Sequence, residues 1–211
     1  MLKLYYHPLS FPALGTLFTA EAAGMEYESH IVDLQKGEHK TPDFLSINPM
    51  GRVPAMVDGD FKLSESVAIM RYIGRKSGSG LYPKGIEAQA EVDQWTDFSI
   101  HHVRSAMGRV QFNRVVAKFF GAEPDEKSLE AGLNFLATNL PFIEERLSKQ
   151  PFLCGDSMTI ADTALLSALE PADMCGFDLS PYPTIKAWRE TRMSETFYTN
   201  VHSHFGAELG M

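Results

Sequence analysis

The chain has 211 residues, 44% hydrophobic and 22% charged, which is the composition of a folded protein long enough for one large domain or two small ones. Nineteen Lys and Arg against 27 Asp and Glu leave a formal charge of −8, which argues against a general nucleic-acid or membrane-surface role, and no apolar run reaches the length of a membrane span. The opening MLKLYYHP lacks the basic and apolar regions of a secretion signal, and two cysteines, Cys154 and Cys175, make neither a disulfide framework nor a metal spacing, so the sequence predicts a cytoplasmic protein without a metal.

Residues 1–77 alternate between strand and helix signals. LKLYYH (2–7) is a short aromatic-rich strand. Pro12 opens a helix that Gly24 ends, over FPALGTLFTAEAAG, although Gly15 and two threonines weaken it. YESHIVDL (27–34) reads as a second strand, and the polar KGEHKTPDFLSINP (36–49) predicts a helical turn after Pro42. PAMV (54–57), an Asp58-Gly59 turn signal and FKL (61–63) predict a hairpin, and SVAIMRYIGRKSG (66–78) closes the half as a helix. The order is β-α-β-α-β-β-α.

GSGLYPKG (78–85), with three glycines and a proline, predicts a linker, and beyond it residues 86–211 read as all helical. Val92, Trp95, Ser99, Val103, Ala106 and Val110 recur at spacings of three and four, as do Leu129, Leu133, Leu136, Leu140, Ile143 and Leu147. Pro141 interrupts the second stripe, where a helix interior loses about 3 kcal/mol, so a kink or local break is expected there. TIADTALLSALEPA (159–172) is apolar nearly all round and predicts a buried helix, with Thr159 and Asp162 spaced as a capping box. Tyr182-Pro183 begins a last helix carrying Ile185 and Trp188.

Within the first half, a few residues carry chemistry in combination. Pro54 at the start of a strand leaves one backbone edge unpaired, so the N–H and C=O of Val53 are free to pair with an extended peptide. Glu65 and Ser66 stand at a helix N-terminus, where free N–H groups and a hydroxyl receive a carboxylate and the Glu receives an ammonium: together, the end of an amino acid. Ser10, just ahead of the helix that Pro12 opens, has a hydroxyl suited to holding a thiolate, and His39, Lys40 and Arg52 supply cations for a second carboxylate. Taken one at a time, these residues read better as an ordinary loop, capping serines and surface charges; it is their combination in this order that points to a site.

The segment NPMGRVPAMVDGDFKLSESVAIMRYI (48–73), with its VPA and SES elements, resembles the soluble glutathione transferases, and the likeness extends over most of the chain. That resemblance implies a thioredoxin-like domain (1–77), the linker, and an all-helical domain (86–211). It implies a cis Val53-Pro54 bond, Val53 pairing with the cysteinyl backbone of glutathione, Glu65 and Ser66 on the γ-glutamyl end, and His39, Lys40 and Arg52 toward the glycyl carboxylate. YYHPLSFP (5–12) is similar to the serine-type classes, theta, delta and phi, and puts thiol activation on Ser10, with Tyr6 as the rival activator. The residues after Ser10, FPALGT, depart from the Cys-Arg frequent in those classes.

The activity implied is conjugation of the glutathione thiolate to mostly apolar electrophiles, in a homodimer that binds neither nucleic acid nor membrane. The electrophile site would lie between the domains, walled by Phe11, Phe98, His102, Met107 and Phe112 and covered by Phe205 from the tail. The alternatives are a non-catalytic binding protein of the same fold, or a specialised glutathione-dependent dehalogenase, peroxidase or isomerase.

Overall fold

A computed structural model of the chain describes residues 1–119 and 121–203. It forms two compact units: Met1–Pro83 together with the described residues from Ser194 on, and Lys84–Met193. The boundary at Pro83 falls inside the glycine-rich stretch expected as a linker.

The first unit starts with β1 (Leu2–Tyr6), whose alternating burial puts Leu2, Leu4 and Tyr6 inside and leaves Lys3 and Tyr5 half-buried. There follow α1 (Phe11–Ala22), with Pro12 in its first turn, and β2 (Tyr27–Ile31), parallel to β1 as a helical crossover requires. Then come α2 (Pro42–Ile47), capped by the Thr41 hydroxyl, and the hairpin β3 (Ala55–Asp58) and β4 (Phe61–Ser64). Asp58 pairs with Phe61, so the two-residue loop is Gly59-Asp60, with Gly59 at φ +61°. The sheet order is β2-β1-β3-β4, a thioredoxin-like arrangement. α3 (Ser66–Ser77) packs against α1, and Tyr72 Oη on its outer turn donates to the Asp58 carboxylate at 2.7 Å. On the other face, α2 brings Phe44 against Val32 and Ala55, and the Tyr5 ring meets Phe44 edge-on and stacks on His30.

The second unit is all helical. α4 (Ile86–Phe98), π-helical turns over Ser99–Arg104, α5 (Ser105–Gln111), π-helical turns over Phe112–Val116 and α6 (Ala117–Phe119) follow one another without a break. α7 (Glu126–Lys149) packs on α5, and its glycine makes this possible: a methyl group at Gly132 would stand 3.0 Å from the Ala106 carbonyl oxygen and from Arg109 Cβ. The break expected at Pro141 does not occur. The carbonyl that Pro141 cannot bond belongs to Ala137, and both residues lie on the exposed face, open to solvent. The buried stripe Leu136, Leu140, Ile143 and Leu147 meanwhile holds the helix on both sides of the proline.

α8 (Ile160–Leu169) is buried at all ten residues, as its all-round apolar sequence predicts. Its capping box is complete: the Thr159 hydroxyl accepts from Ala161 N–H, while the Asp162 carboxylate accepts from the Thr159 N–H at 2.8 Å and its hydroxyl at 3.1 Å. Asp162 also accepts from Leu153 N–H at 2.8 Å, tying the preceding loop to the helix, and burial pushes its carboxyl up to about 6 despite these donors. α9 (Pro183–Met193) is capped from a distance, its Thr184 and Ile185 N–H groups donating to the two oxygens of Glu144 on α7.

The chain then returns to the first unit, contrary to the expectation that everything beyond residue 86 stays in the helical domain. α10 (Thr196–Ser203) lies along α1: Tyr198 stacks on Phe18 at 5.3 Å and on His202 at 4.0 Å. Glu21 of α1 accepts from Asn200 on α10 and from the Tyr27 hydroxyl on β2. No helix among the described residues is long and apolar enough to cross a membrane.

Asp162→Ala strands two buried N–H donors and is expected to destabilise the protein by about 3 kcal/mol or more. Thr159→Ala removes only a cap, with an expected loss of about 1 kcal/mol. Chemical denaturation of the two variants checks this order; equal losses would contradict it.

Candidate functional site

Strand register brings the chemistry-bearing segments to one end of the first unit's sheet. Tyr5 on β1 pairs with His30 on β2 and with Ala55 on β3, and Ala55 pairs in turn with Ser64 on β4. Just beyond these residues the chain runs on to His39 and Lys40 after β2, to Ser10 after β1, and to Glu65 and Ser66 after β4; Val53 precedes β3. Every residue proposed for the peptide-binding half of the site therefore belongs to a segment leaving or entering the sheet at this end. Open α/β sheets bind ligands at such strand ends.

Ser10 occupies the N-cap position of α1, and its side chain makes no capping bond. Its carbonyl accepts from Ala13 N–H at 2.7 Å and Leu14 N–H at 3.0 Å, and Pro12 has no N–H to offer. The reading of Ser10 as a simple capping serine is therefore not the one the structure supports. The turn before it is held by His7: Leu9 N–H donates to His7 Nδ1 at 3.2 Å, and Ser10 N–H to the His7 carbonyl at 2.8 Å. Burial lowers the His7 pKa below the usual histidine value, with Asp33 opposing, which keeps Nδ1 available as an acceptor. Tyr6, the rival to Ser10, lies in the core, with only 2% of it exposed.

The peptide bond Val53-Pro54 is cis, as the resemblance implies. β3 begins only at Ala55, and among the described residues neither the N–H nor the C=O of Val53 has a hydrogen-bond partner. Arg52 and Lys40 are exposed. Gly51, at φ +59°, draws their two segments together: a methyl group there would stand 2.8 Å from the His39 carbonyl oxygen and 3.1 Å from Lys40 Nζ. His39 Nδ1 is buried without a hydrogen-bond partner.

Among the described residues Glu65 is the one non-glycine with positive φ, at φ 71° and ψ 116°. Such a backbone costs a non-glycine residue about 1–3 kcal/mol, and observed outliers of this kind cluster at ligand clamps. Its exposed carboxylate makes no cap bond to α3, while Ser66, the first residue of that helix, is buried.

The expected electrophile residues divide. Met107 is fully buried with its sulfur 3.9 Å from Cys175 Sγ, so it is a core residue and presents no surface to a ligand. Phe11 is likewise buried, at 7% exposure. Phe112, on a π-helical turn, is 48% exposed. Phe98 and His102 belong to an aromatic cluster with Trp95, Phe135 and Phe142, the His102 ring lying 4.8 Å from Phe98. Phe205 lies outside the described residues.

Neither cysteine is set up as a nucleophile: burial pushes the Cys154 thiol up to about 12, and burial also raises Cys175. Among the described residues no group of three or more His, Cys, Asp and Glu is placed to hold a metal ion. A residue that the sequence reading passed over is Asn48, buried at the head of the Val53 segment. Its signal was the Asn-Pro dipeptide, a frequent turn opener.

At one end the thioredoxin-like sheet thus presents the unpaired Val53 backbone, a Ser10 hydroxyl left out of its own helix cap, and flanking cations. Residues 1–75 match the glutathione S-transferase N-terminal domain and residues 100–195 the C-terminal domain. The chain is 38% identical over 195 residues to a probable glutathione S-transferase, GSTF2, of Oryza sativa subsp. japonica, covering 89% of each. It is 37% identical to glutathione S-transferase 3 of Zea mays, over 90% of this chain and 87% of that one. Among solved structures, glutathione S-transferase I from maize in complex with an atrazine glutathione conjugate superposes with a TM-score of 0.88 at 31% identity, covering 96% of both chains. The chain belongs to the glutathione S-transferase family. It is a transferase, with glutathione as its co-substrate.

Proposed function

We propose that glutathione lies across the strand ends of the first unit and that Ser10 holds its sulfur as a thiolate. The observation that carries this reading is the order of the segments. Along β2-β1-β3-β4, the sheet end offers His39 and Lys40, then Ser10, then Val53, then Glu65 and Ser66. Strands stand about 4.8 Å apart, so four of them span roughly 14 Å. An extended tripeptide is about 10 Å long, and its terminal groups reach further. The glycyl carboxylate then meets His39, Lys40 and Arg52, the cysteinyl backbone pairs with Val53, and the γ-glutamyl end meets Glu65 and Ser66.

The chemistry follows from the charge that must be held. A free thiol has a pKa near 8.5, and lowering it by about two units takes roughly 2.7 kcal/mol of anion stabilisation. A charge-assisted hydrogen bond from the Ser10 hydroxyl supplies about 1.5–3 kcal/mol, and the N-terminal end of α1 adds about 0.3–1 kcal/mol. The thiol proton leaves to solvent, and Ser10 keeps its own proton while donating to sulfur. The thiolate lone pair then forms the carbon–sulfur bond of the conjugate. The leaving group departs with its electron pair or, in an addition, the electrophile takes up a proton. The exposed Phe112 supports an apolar surface for that electrophile.

Two further readings accompany this one. Free thiols at Cys154 and Cys175 support a cytoplasmic location. A homodimer is supported by membership of the glutathione S-transferase family, whose members typically pair. Light scattering is expected to give twice the chain mass at micromolar concentration; the mass of one chain would contradict the dimer.

For the catalytic assignment, Ser10→Ala is expected to keep glutathione affinity and to lose about 10- to 100-fold in turnover, the equivalent of roughly 1.4–2.7 kcal/mol. Tyr6→Phe should stay close to the wild-type turnover. Steady-state kinetics of both variants decides, and survival of activity in the first with loss in the second would reverse the assignment.

A further inference from the structure

We propose that Asn48 is a positioning residue for glutathione, acting through the Val53 segment without touching the tripeptide. This rests on the reading of the site given above. Asn48 is 1% exposed, and its side chain is engaged at both ends within its own turn. Oδ1 accepts from Met50 N–H at 3.1 Å, and Nδ2 donates to the Arg52 carbonyl at 2.6 Å. The backbone of the same residue adds two bonds: its N–H donates to the Phe44 carbonyl of α2, and its carbonyl accepts from Gly51 N–H, both at 2.9 Å.

These four bonds join α2 to each stage of the turn up to Arg52. Gly51 sits against the His39 carbonyl and Lys40, Arg52 carries a candidate cation, and Val53 follows at once with its unpaired N–H and C=O. One buried amide thus sets where the backbone that pairs with the cysteinyl residue lies relative to the cations at the glycyl end. The chain from Gly51 to Pro54 has no ladder partner of its own to do this, since β3 pairing starts at Ala55. An amide is required because the turn presents a donor at Met50 and an acceptor at Arg52. A carboxylate satisfies only the first, and an alanine neither.

The test is steady-state kinetics with glutathione and 1-chloro-2,4-dinitrobenzene on wild type, Asn48→Ala and Asn48→Asp, with glutathione binding followed by calorimetry. Losing the buried tether is expected to raise the glutathione KM and Kd about tenfold in both variants, leaving kcat and the electrophile KM within about threefold. An unchanged glutathione KM in a folded variant overturns the proposal, as does a fall in kcat with glutathione KM unchanged, or an equal rise in both KM values. Failure of both variants to fold overturns it as well, because the turn would then be a folding element. Wild-type protein that binds no glutathione overturns instead the reading of the site on which the proposal stands.

Discussion

The site depends on one feature of strand pairing: Tyr5 of β1 stands in register with His30 of β2 on one side and Ala55 of β3 on the other, and Ala55 passes the alignment on to Ser64. That row sets which residues emerge together at the sheet end. A slip of one residue at any ladder would move the emerging segments apart and turn the apolar face of that strand to the wrong side. Burial guards against the slip. Leu2, Leu4 and Tyr6 must stay inside on one face while Tyr5 packs with Phe44 and His30 on the other, so the register is specified from both faces at once.

What the register brings together is a set of groups the fold does not use. Val53 keeps both backbone groups unpaired, Ser10 leaves its hydroxyl out of its own helix cap, and Glu65 stands in a conformation that disfavours it. Each of these departs from what stability alone would select, and each is braced by neighbours that satisfy their own polar groups locally. His7 holds the turn before Ser10, the Asn48 amide holds the turn before Val53, and the hairpin and α3 flank Glu65. Away from the site the structure follows the ordinary rule: Asp162 and Glu144 use both carboxylate oxygens on backbone donors.

Much of this was legible in the sequence, because strands, hairpins and helix caps announce themselves through residue types with narrow backbone preferences. Pro54, the Gly59 turn and the Thr159-Asp162 cap all appear where their chemistry demands them. Three things were not legible, each for a physical reason. Met107 and Phe112 belong to the same apolar alphabet, and spacing does not tell a core residue from an exposed one when π-helical turns change the phase of the helix. Pro141 looked disruptive because sequence does not show that the stranded Ala137 carbonyl faces solvent. The return of α10 to α1 is a long-range packing event, Tyr198 on Phe18, and no local pattern encodes it.

The central claim is that the first unit stabilises the thiolate of bound glutathione with Ser10. It is tested most directly by following thiolate absorbance of glutathione bound to the wild-type protein as pH is raised. The account predicts ionisation about one to two units below the pKa of roughly 8.5 for a free thiol. Ionisation of the bound thiol at the same pH as the free one would contradict it.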